Sequence, residues 1–329
     1  MGLIALAVDG GASKTDLALV RDDGALLAHA RGPRTSPHHI GLDGCLAVLE
    51  ELLGEALAGA GLPSTHPVAE VGHVMLAGAD LPAEEQALQD ALDERGWAAR
   101  MAVSNDTFAV LRAGTERGWG VAVVCGAGIN CVGVAPDGRH ARFPSLGAIT
   151  GDWGGGGDVG MAALSAAARS EDGRGPKTTL EQLVPAHFGL RTPLELAEAI
   201  HLGQIDARRV LELAPVVLSE ADGDVTAGGI VDRLAAEIVA FARVAATRLE
   251  LTDTPLEVVL GGGLMQAGNG RLQGAIVRGL REVGPEVVAR VVREPPIVGA
   301  ALLGLDDLGA DAAAHARARR ELEEAINDG

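Results

Sequence analysis

Tyrosine is absent from this 329-residue chain, aromatic side chains make up only 2%, and Lys14 and Lys177 are the only lysines among 27 basic residues. With alanine abundant, these shortages read as compositional bias, but they make a lysine inside a glycine-rich turn more noticeable. Cysteine is scarce as well. Cys45, Cys125 and Cys131 form no CxxC pair, so a zinc site is set aside and buried thiols in a reducing cytoplasm are expected. Long apolar runs are missing: although 47% of the residues are hydrophobic, no segment has the uninterrupted length needed to span a bilayer, so no membrane partner is expected. The chain opens on a strand pattern without a basic lead, unlike a signal peptide. Positive charge is outnumbered, 27 Lys and Arg against 45 Asp and Glu, and the net charge of −18 argues against nucleic acid as a partner. A small anion remains compatible, because it binds local N–H groups and a metal. The length suggests two domains.

The most informative stretch is Asp9-Gly10-Gly11-Ala12-Ser13-Lys14-Thr15. It lies between the apolar runs Leu3 to Val8 and Leu17 to Val20, and Asp22-Asp23-Gly24 then turns the chain into a third run, Ala25 to Ala30. This reads as strand, glycine turn, strand, hairpin, strand. A phosphate could approach bare backbone N–H groups there, with hydroxyl and ammonium groups beside it. Asp9, at the strand end, is placed to hold magnesium, through water. The spacing is not that of a P-loop or of a dinucleotide fingerprint, since a strand follows the turn instead of a helix. Alone, the segment reads equally well as an ordinary hairpin connection.

From Gly120 the pattern repeats. Gly120 to Cys125 is a strand, Gly126-Ala127-Gly128 a turn, Asn130 to Ala135 a strand, and Pro136-Asp137-Gly138 a hairpin. Between the two copies lie a helix over 44–59, a strand over 71–76, a helix over 82–96, a strand over 101–104 and a helix over 107–114. After the second copy come the run Gly151-Asp152-Trp153-Gly154-Gly155-Gly156-Gly157, a helical stretch to residue 250, and a strand over 256–260 ending in Gly261-Gly262-Gly263-Leu264. A strand over 287–293, a small-residue helix from Ile297 and a charged terminal helix complete the chain. Asp106, at the mouth of the helix that begins at Thr107, reads as that helix's N-cap or as a carboxylate at a site floor; Asn105 could take the cap instead. Asp152 reads as a functional acid or a turn residue, Asn130 as a contact or a strand-edge residue, and His38 and His39 as pocket or solvated loop.

Taken in order, these motifs resemble the BadF/BadG/BcrA/BcrD ATPase family, N-acetylglucosamine kinases included, within the actin/hexokinase/Hsp70 superfamily. The likeness runs over nearly the whole chain. It rests on residues 9–15, Asn105-Asp106, Gly126-Ala127-Gly128-Ile129-Asn130-Cys131, Gly147 with Gly151-Asp152, Gly261-Gly262-Gly263, and Pro296-Ile297-Val298-Gly299-Ala300-Ala301. The resemblance implies an α/β fold of two ribonuclease-H-like domains of the actin/hexokinase type with an interdomain ATP cleft. The expected division is 1–107, completed by a C-terminal helix over 306–329, and 108–305.

Carried over by resemblance, Gly10, Gly11, Ala12, Ser13, Lys14, Thr15, Gly126, Ala127 and Gly128 would meet the phosphates of ATP. Gly262, Gly263 and Leu264 would flank the adenosine, and Asp9 would serve Mg2+. Asp106 falls on the catalytic base, and Ser36, His38, Asn105, Asp106, Asn130, Gly151 and Asp152 fall at or beside sugar-contacting positions. The implied activity is ATP-dependent phosphorylation of an amino sugar, N-acetylglucosamine or glucosamine, at the 6-hydroxyl, by a cytoplasmic homodimer. The chain departs from the kinases at Ser36, where they carry Asn; at Ala127 and Ile129, where they carry Thr and Ser; and at Trp153-Gly154-Gly155, where they carry Glu-Gly-Ser. These departures leave the sugar open. Two other readings stay open: an ATPase activating a 2-hydroxyacyl-CoA dehydratase, which would need a suitable cysteine pair, and a catalytically reduced sugar sensor.

Overall fold

A computed structural model describes residues 2–327. In chain order the elements are β1 (Ile4–Gly10), β2 (Lys14–Arg21), β3 (Leu26–Pro33), α1 (Pro37–Ala60), β4 (Ala69–Leu76), α2 (Pro82–Arg95), β5 (Ala98–Ser104) and α3 (Thr107–Gly114). There follow β6 (Gly120–Cys125), β7 (Ile129–Val134), β8 (His140–Arg142), α4 (Gly155–Glu171), α5 (Leu180–His187), α6 (Pro193–His201), α7 (Ala214–Glu220) and α8 (Val225–Arg248). The remainder are β9 (Leu256–Gly261), α9 (Gly263–Gln266), α10 (Gly270–Leu280), β10 (Val287–Val291), α11 (Pro296–Asp307) and α12 (Ala312–Asn327).

Two compact units result. One runs to Trp119 and takes up the chain again from Val292; the other is Gly120–Val291. The first holds a five-stranded sheet in the order β3-β2-β1-β4-β5, the second a five-stranded sheet in the order β10-β9-β6-β7-β8. In each, three consecutive strands pair antiparallel and two later strands add on in parallel. The repeat read from the two glycine turns is thus a repeat of whole sheets, of the α/β kind expected.

The first sheet is covered on both faces, which is why its central strands read as unbroken apolar runs and not as alternation. Leu6, Val8, Leu17 and Leu19 face α1 and α2, packing with Leu49, Leu53, Leu88, Leu92 and Trp97. Successive strand residues point to opposite faces, so Ala7, Ala18 and Val20 join Ile297, Val298, Leu302 and Leu305 of α11, with Ala109 of α3 and Leu322 of α12. That packing moves the unit boundary. α3 and α11 belong to the first unit, against the expected breaks after residues 107 and 305, because their apolar faces are needed to cover the first sheet. Small residues permit the fit: a Cβ on Gly299 would stand 1.8 Å from the Ala109 carbonyl oxygen. Met1, Asp328 and Gly329, the ends of the expected first domain, lie outside the described residues. Among the described residues no helix is long and apolar enough to cross a membrane.

Candidate active site

In the first unit the candidate residues gather where β1, β4 and β5 end. Asp9 is the penultimate residue of β1 and is buried. The turn after it is closed by the Gly11 amide donating to the Lys14 carbonyl at 2.9 Å. Gly10 has no alternative: a Cβ there would meet Thr35 Oγ1 at 2.2 Å and the Leu76 side chain at 2.3 Å. Ala12, Ser13 and Lys14 are exposed and open to a ligand. Thr15, grouped with them by sequence, is fully buried and spends its hydroxyl on Thr35 Oγ1 at 2.8 Å, so its side chain supports the turn from inside.

The Asn105–Asp106 pair divides two roles. Asn105 is 3% exposed. Its side-chain oxygen accepts from the Thr107 amide at 3.0 Å and from the Thr107 hydroxyl at 2.6 Å, and its Nδ2 donates to Asp80 at 2.7 Å. Asn105 therefore carries the capping hydrogen bond at the start of α3. The Asp106 side chain makes no cap bond. Burial raises the Asp106 carboxyl to about 6, with the negative Asp80 adding to the rise and the backbone N–H groups of Asp106 and Thr107 opposing it. Burial likewise pushes Asp9 up to about 8, aided by the charges of Asp106 and Asp16 and opposed by Lys14. A carboxyl so placed ionises most readily with a cation at hand, and an all-oxygen carboxylate setting is what magnesium takes. Asp9 would hold that ion.

Ser36 and His38 lie in one turn that Gly41, at φ 72°, separates from the rest of α1. Ser36 is 3% exposed, and a Cβ on Gly78 (φ +92°) would sit 3.0 Å from its Oγ and 3.5 Å from the His38 ring. The β4–α2 turn thus packs directly on the Ser36 segment. His38 Nε2 bonds Glu84 Oε1 at 2.8 Å, and Glu84 Oε2 accepts from the amides of Asp80 and Leu81. Sequence reasoning missed Asp80 and Glu84, for which the only signal was an acidic first turn in α2. It also missed Asp16, visible only as a lone carboxylate in an apolar strand.

In the second unit the Gly126–Gly128 turn is braced by the start of α4. The Gly156 and Gly157 amides donate to the carbonyls of Gly126 and Ala127 at 2.8 and 2.9 Å. Gly155, at φ +76°, lies so close that a Cβ would stand 2.4 Å from the Gly128 carbonyl oxygen. Bare backbone at residues 154–157 is what lets the helix seat there. Trp153, just before it, is covered by the Arg233 guanidinium 3.9 Å from its ring centroid. Asn130 accepts from the Ser145 hydroxyl at 2.6 Å. The Asp152 amide closes a turn on the Gly147 carbonyl at 3.0 Å, and its carboxylate takes the Thr150 hydroxyl, with Gly151 exposed beside it. Gly262, at φ +90°, passes where a Cβ would meet the Cys125 carbonyl oxygen at 2.2 Å; Gly263 is open and the Leu264 side chain is buried. All three thiols are buried, Cys125 and Cys131 on adjacent strands, and burial pushes Cys45 and Cys125 up to about 12. They offer no exposed thiolate pair for an iron–sulfur cluster.

The model of the BadF/BadG/BcrA/BcrD ATPase family matches residues 6–304. The chain belongs to the BadF/BadG/BcrA/BcrD ATPase family. Within reach of this family assignment, the chain is 28% identical over 264 residues to an N-acetylmuramic acid/N-acetylglucosamine kinase of Clostridium acetobutylicum, covering 79% of this chain and 85% of that protein. A Chromobacterium violaceum structure, solved as a candidate N-acetylglucosamine kinase, superposes with a TM-score of 0.70 at 26% identity, over 92% of this chain and 99% of the other. A ROK family glucokinase of Streptomyces griseus, solved with glucose and AMPPNP, shares the fold at 17% identity and a TM-score of 0.51, over 93% of this chain and 98% of that one. The α/β architecture of this BadF-type chain is thus that of the hexokinase-like sugar kinases.

Proposed function

We propose that the protein is an ATP-dependent amino-sugar kinase, with N-acetylglucosamine or glucosamine as acceptor and the 6-hydroxyl as the position phosphorylated. The observation that carries the reading is the division of labour at residues 105 and 106. Asn105 holds the helix, and Asp106 keeps a carboxylate at the end of β5 that takes no part in capping. The relatives named as amino-sugar kinases support the substrate class.

Phosphoryl transfer to a hydroxyl needs positioning, neutralisation of phosphate charge and a proton acceptor. The sugar oxygen attacks the γ-phosphorus, the bond to the β–γ bridging oxygen breaks, ADP departs with the electron pair, and the hydroxyl proton passes to Asp106. The exposed 11–14 turn, with the Ser13 hydroxyl and the Lys14 ammonium, would take phosphate oxygens. Asp9 would hold the magnesium ion, which neutralises phosphate charge when bound. Ser36, His38, Asn130, Gly151 and Asp152 are the proposed sugar contacts. Gly126–Gly128 and Gly262–Leu264 are the proposed further nucleotide contacts. Purified protein with magnesium and ATP, assayed for ADP release across hexoses, hexosamines and their N-acetyl derivatives, tests the reading. The fastest release is expected with an amino sugar, and a rate no higher than without sugar, across the whole panel, would overturn it.

A further inference from the structure

Asp16 is a buried, charge-paired carboxylate near the turn end of β2. It is 1% exposed, the next residue along that face of β2 is Ala18, and its Cα pairs directly with those of Asp9 on β1 and Arg31 on β3. Residues two apart on a strand share a face, so Lys14 and Asp16 project to the same side of β2. The two oxygens of Asp16 are used differently. Oδ1 accepts from His29 Nε2 at 2.8 Å and Arg31 Nε at 2.7 Å, both from β3. Oδ2 is buried, makes no hydrogen bond, and lies 3.4 Å from Lys14 Nζ. The β3 pair anchors one carboxylate oxygen, and the remaining oxygen faces an ammonium that stands on the glycine turn with its own side chain 53% exposed.

We infer that Asp16 is a positioning residue for the transfer reaction: it pins the Lys14 ammonium over the glycine turn, where that ammonium meets the nucleotide's phosphates. The inference rests on the kinase reading for the identity of the anion. An unanchored lysine has four rotatable bonds and loses rotamer freedom when it binds. Pairing with a buried, immobile carboxylate settles part of that cost before the ligand arrives. The identity of the cation fits. In a chain that uses arginine nearly everywhere, this position holds a lysine, a compact point charge that one carboxylate oxygen can hold and that still has N–H donors to spare. A salt-bridge cluster serving stability alone would need no lysine, since the Arg31 guanidinium already compensates the Asp16 charge.

The test is a double-mutant cycle between Asp16→Asn and Lys14→Met, read in the full chain by calorimetry with magnesium–AMP-PNP and by steady-state kinetics. Asn keeps an oxygen for Arg31 and His29 but has no charge for Lys14. Expected for Asp16→Asn is an AMP-PNP Kd and an ATP KM raised about five- to tenfold, with the sugar KM unchanged. In the Lys14→Met background the same change should add nothing. Equal effects of Asp16→Asn in both backgrounds, or equal shifts in the two KM values, would reduce Asp16 to a structural ion pair. Should Asp16→Asn not fold, Lys14→Arg at its exposed position decides: a several-fold loss of AMP-PNP affinity despite the retained charge is expected, and wild-type affinity overturns the pinning. If wild type shows no sugar-dependent turnover, the kinase reading fails. The calorimetric cycle still reports on Asp16 and Lys14, and absence of AMP-PNP binding to wild type would overturn the inference too.

Discussion

The Asn105 side-chain oxygen stands 3.0 Å from the Thr107 amide, and through that bond the cap of α3 is supplied by the residue before Asp106. A helix start needs an acceptor for its first amides. Here the acceptor is a neutral amide, which leaves the neighbouring carboxylate available for chemistry.

Replacing the two neighbours should therefore separate stability from turnover. Asp106→Asn is expected to lower kcat by roughly 10²–10⁴-fold, the usual worth of a general base, with the melting temperature nearly unchanged. Asn105→Ala is expected to cost about 1 kcal/mol of stability through the lost cap. Thermal melts and saturating-sugar kinetics on both variants check the pair, and near-normal kcat in a folded Asp106→Asn would remove Asp106 from the mechanism.

The pH dependence follows from the Asp106 carboxyl at about 6, raised by burial and by Asp80. A base must be deprotonated to act. The kcat should hold above pH 6 and fall about tenfold for each further unit of acidity. Asp80→Asn removes the neighbouring charge, so the acid limb should move to lower pH. A profile unmoved by Asp80→Asn would sink this account.

For Asp9, the expected result is loss of magnesium-dependent turnover by orders of magnitude in Asp9→Ala, with the fold intact, because a strand-end carboxyl holds no core together. Circular dichroism and magnesium titrations of activity distinguish this outcome from a structural role, in which both Asp9→Ala and Asp9→Asn would unfold.

Asp16 predicts an acid limit of stability. Burial opposes its ionisation, yet hydrogen bonds from His29 and Arg31 and the charge of Lys14 lower it from 3.8 to about 2. A carboxyl whose folded pKa is depressed contributes stability that is fully present above about pH 4. That contribution is lost as pH falls through 2, and it amounts to about 2 kcal/mol at most. Denaturant melts at pH 7 and pH 2.5 should show Asp16→Asn less stable than wild type at the first and closer to it at the second. A constant difference would refute the linkage.

Gly299→Ala tests how α3 is held. The added Cβ would stand 1.8 Å from the Ala109 carbonyl, so α11 and α3 must separate. A loss of about 1–3 kcal/mol is expected, with a fall in kcat because Asp106 starts α3. Unaltered melting temperature and kcat would show that the contact relaxes at no cost.

Much of this protein is legible along the chain because its signals are local. Apolar runs bounded by Asp-Gly turns mark the hairpins in both halves, and glycine at a strand end marks Gly10, Gly126 and Gly262; at Gly10 and Gly262 a Cβ would collide with neighbouring atoms. The 107–114 helix and the 120–125 strand lie where the pattern places them. What the linear pattern could not reveal depends on partners far away in the chain. Thr15 looks like part of the exposed turn until Thr35 closes over it. Asn105 and Asp106 are equivalent cap candidates until Asp80, 25 residues away, claims the Asn105 amide. His38 reads as pocket or solvated loop alike until Glu84, 46 residues on, takes its ring nitrogen. The unit boundary moved for the same reason. Arg112 of α3 is bound to Asp306 of α11 across 194 residues, and two helices that look peripheral in sequence become the second cover of the first sheet. Local conformational preference is encoded residue by residue, whereas burial and hydrogen-bond assignment are decided by whichever distant groups the packed core brings within reach.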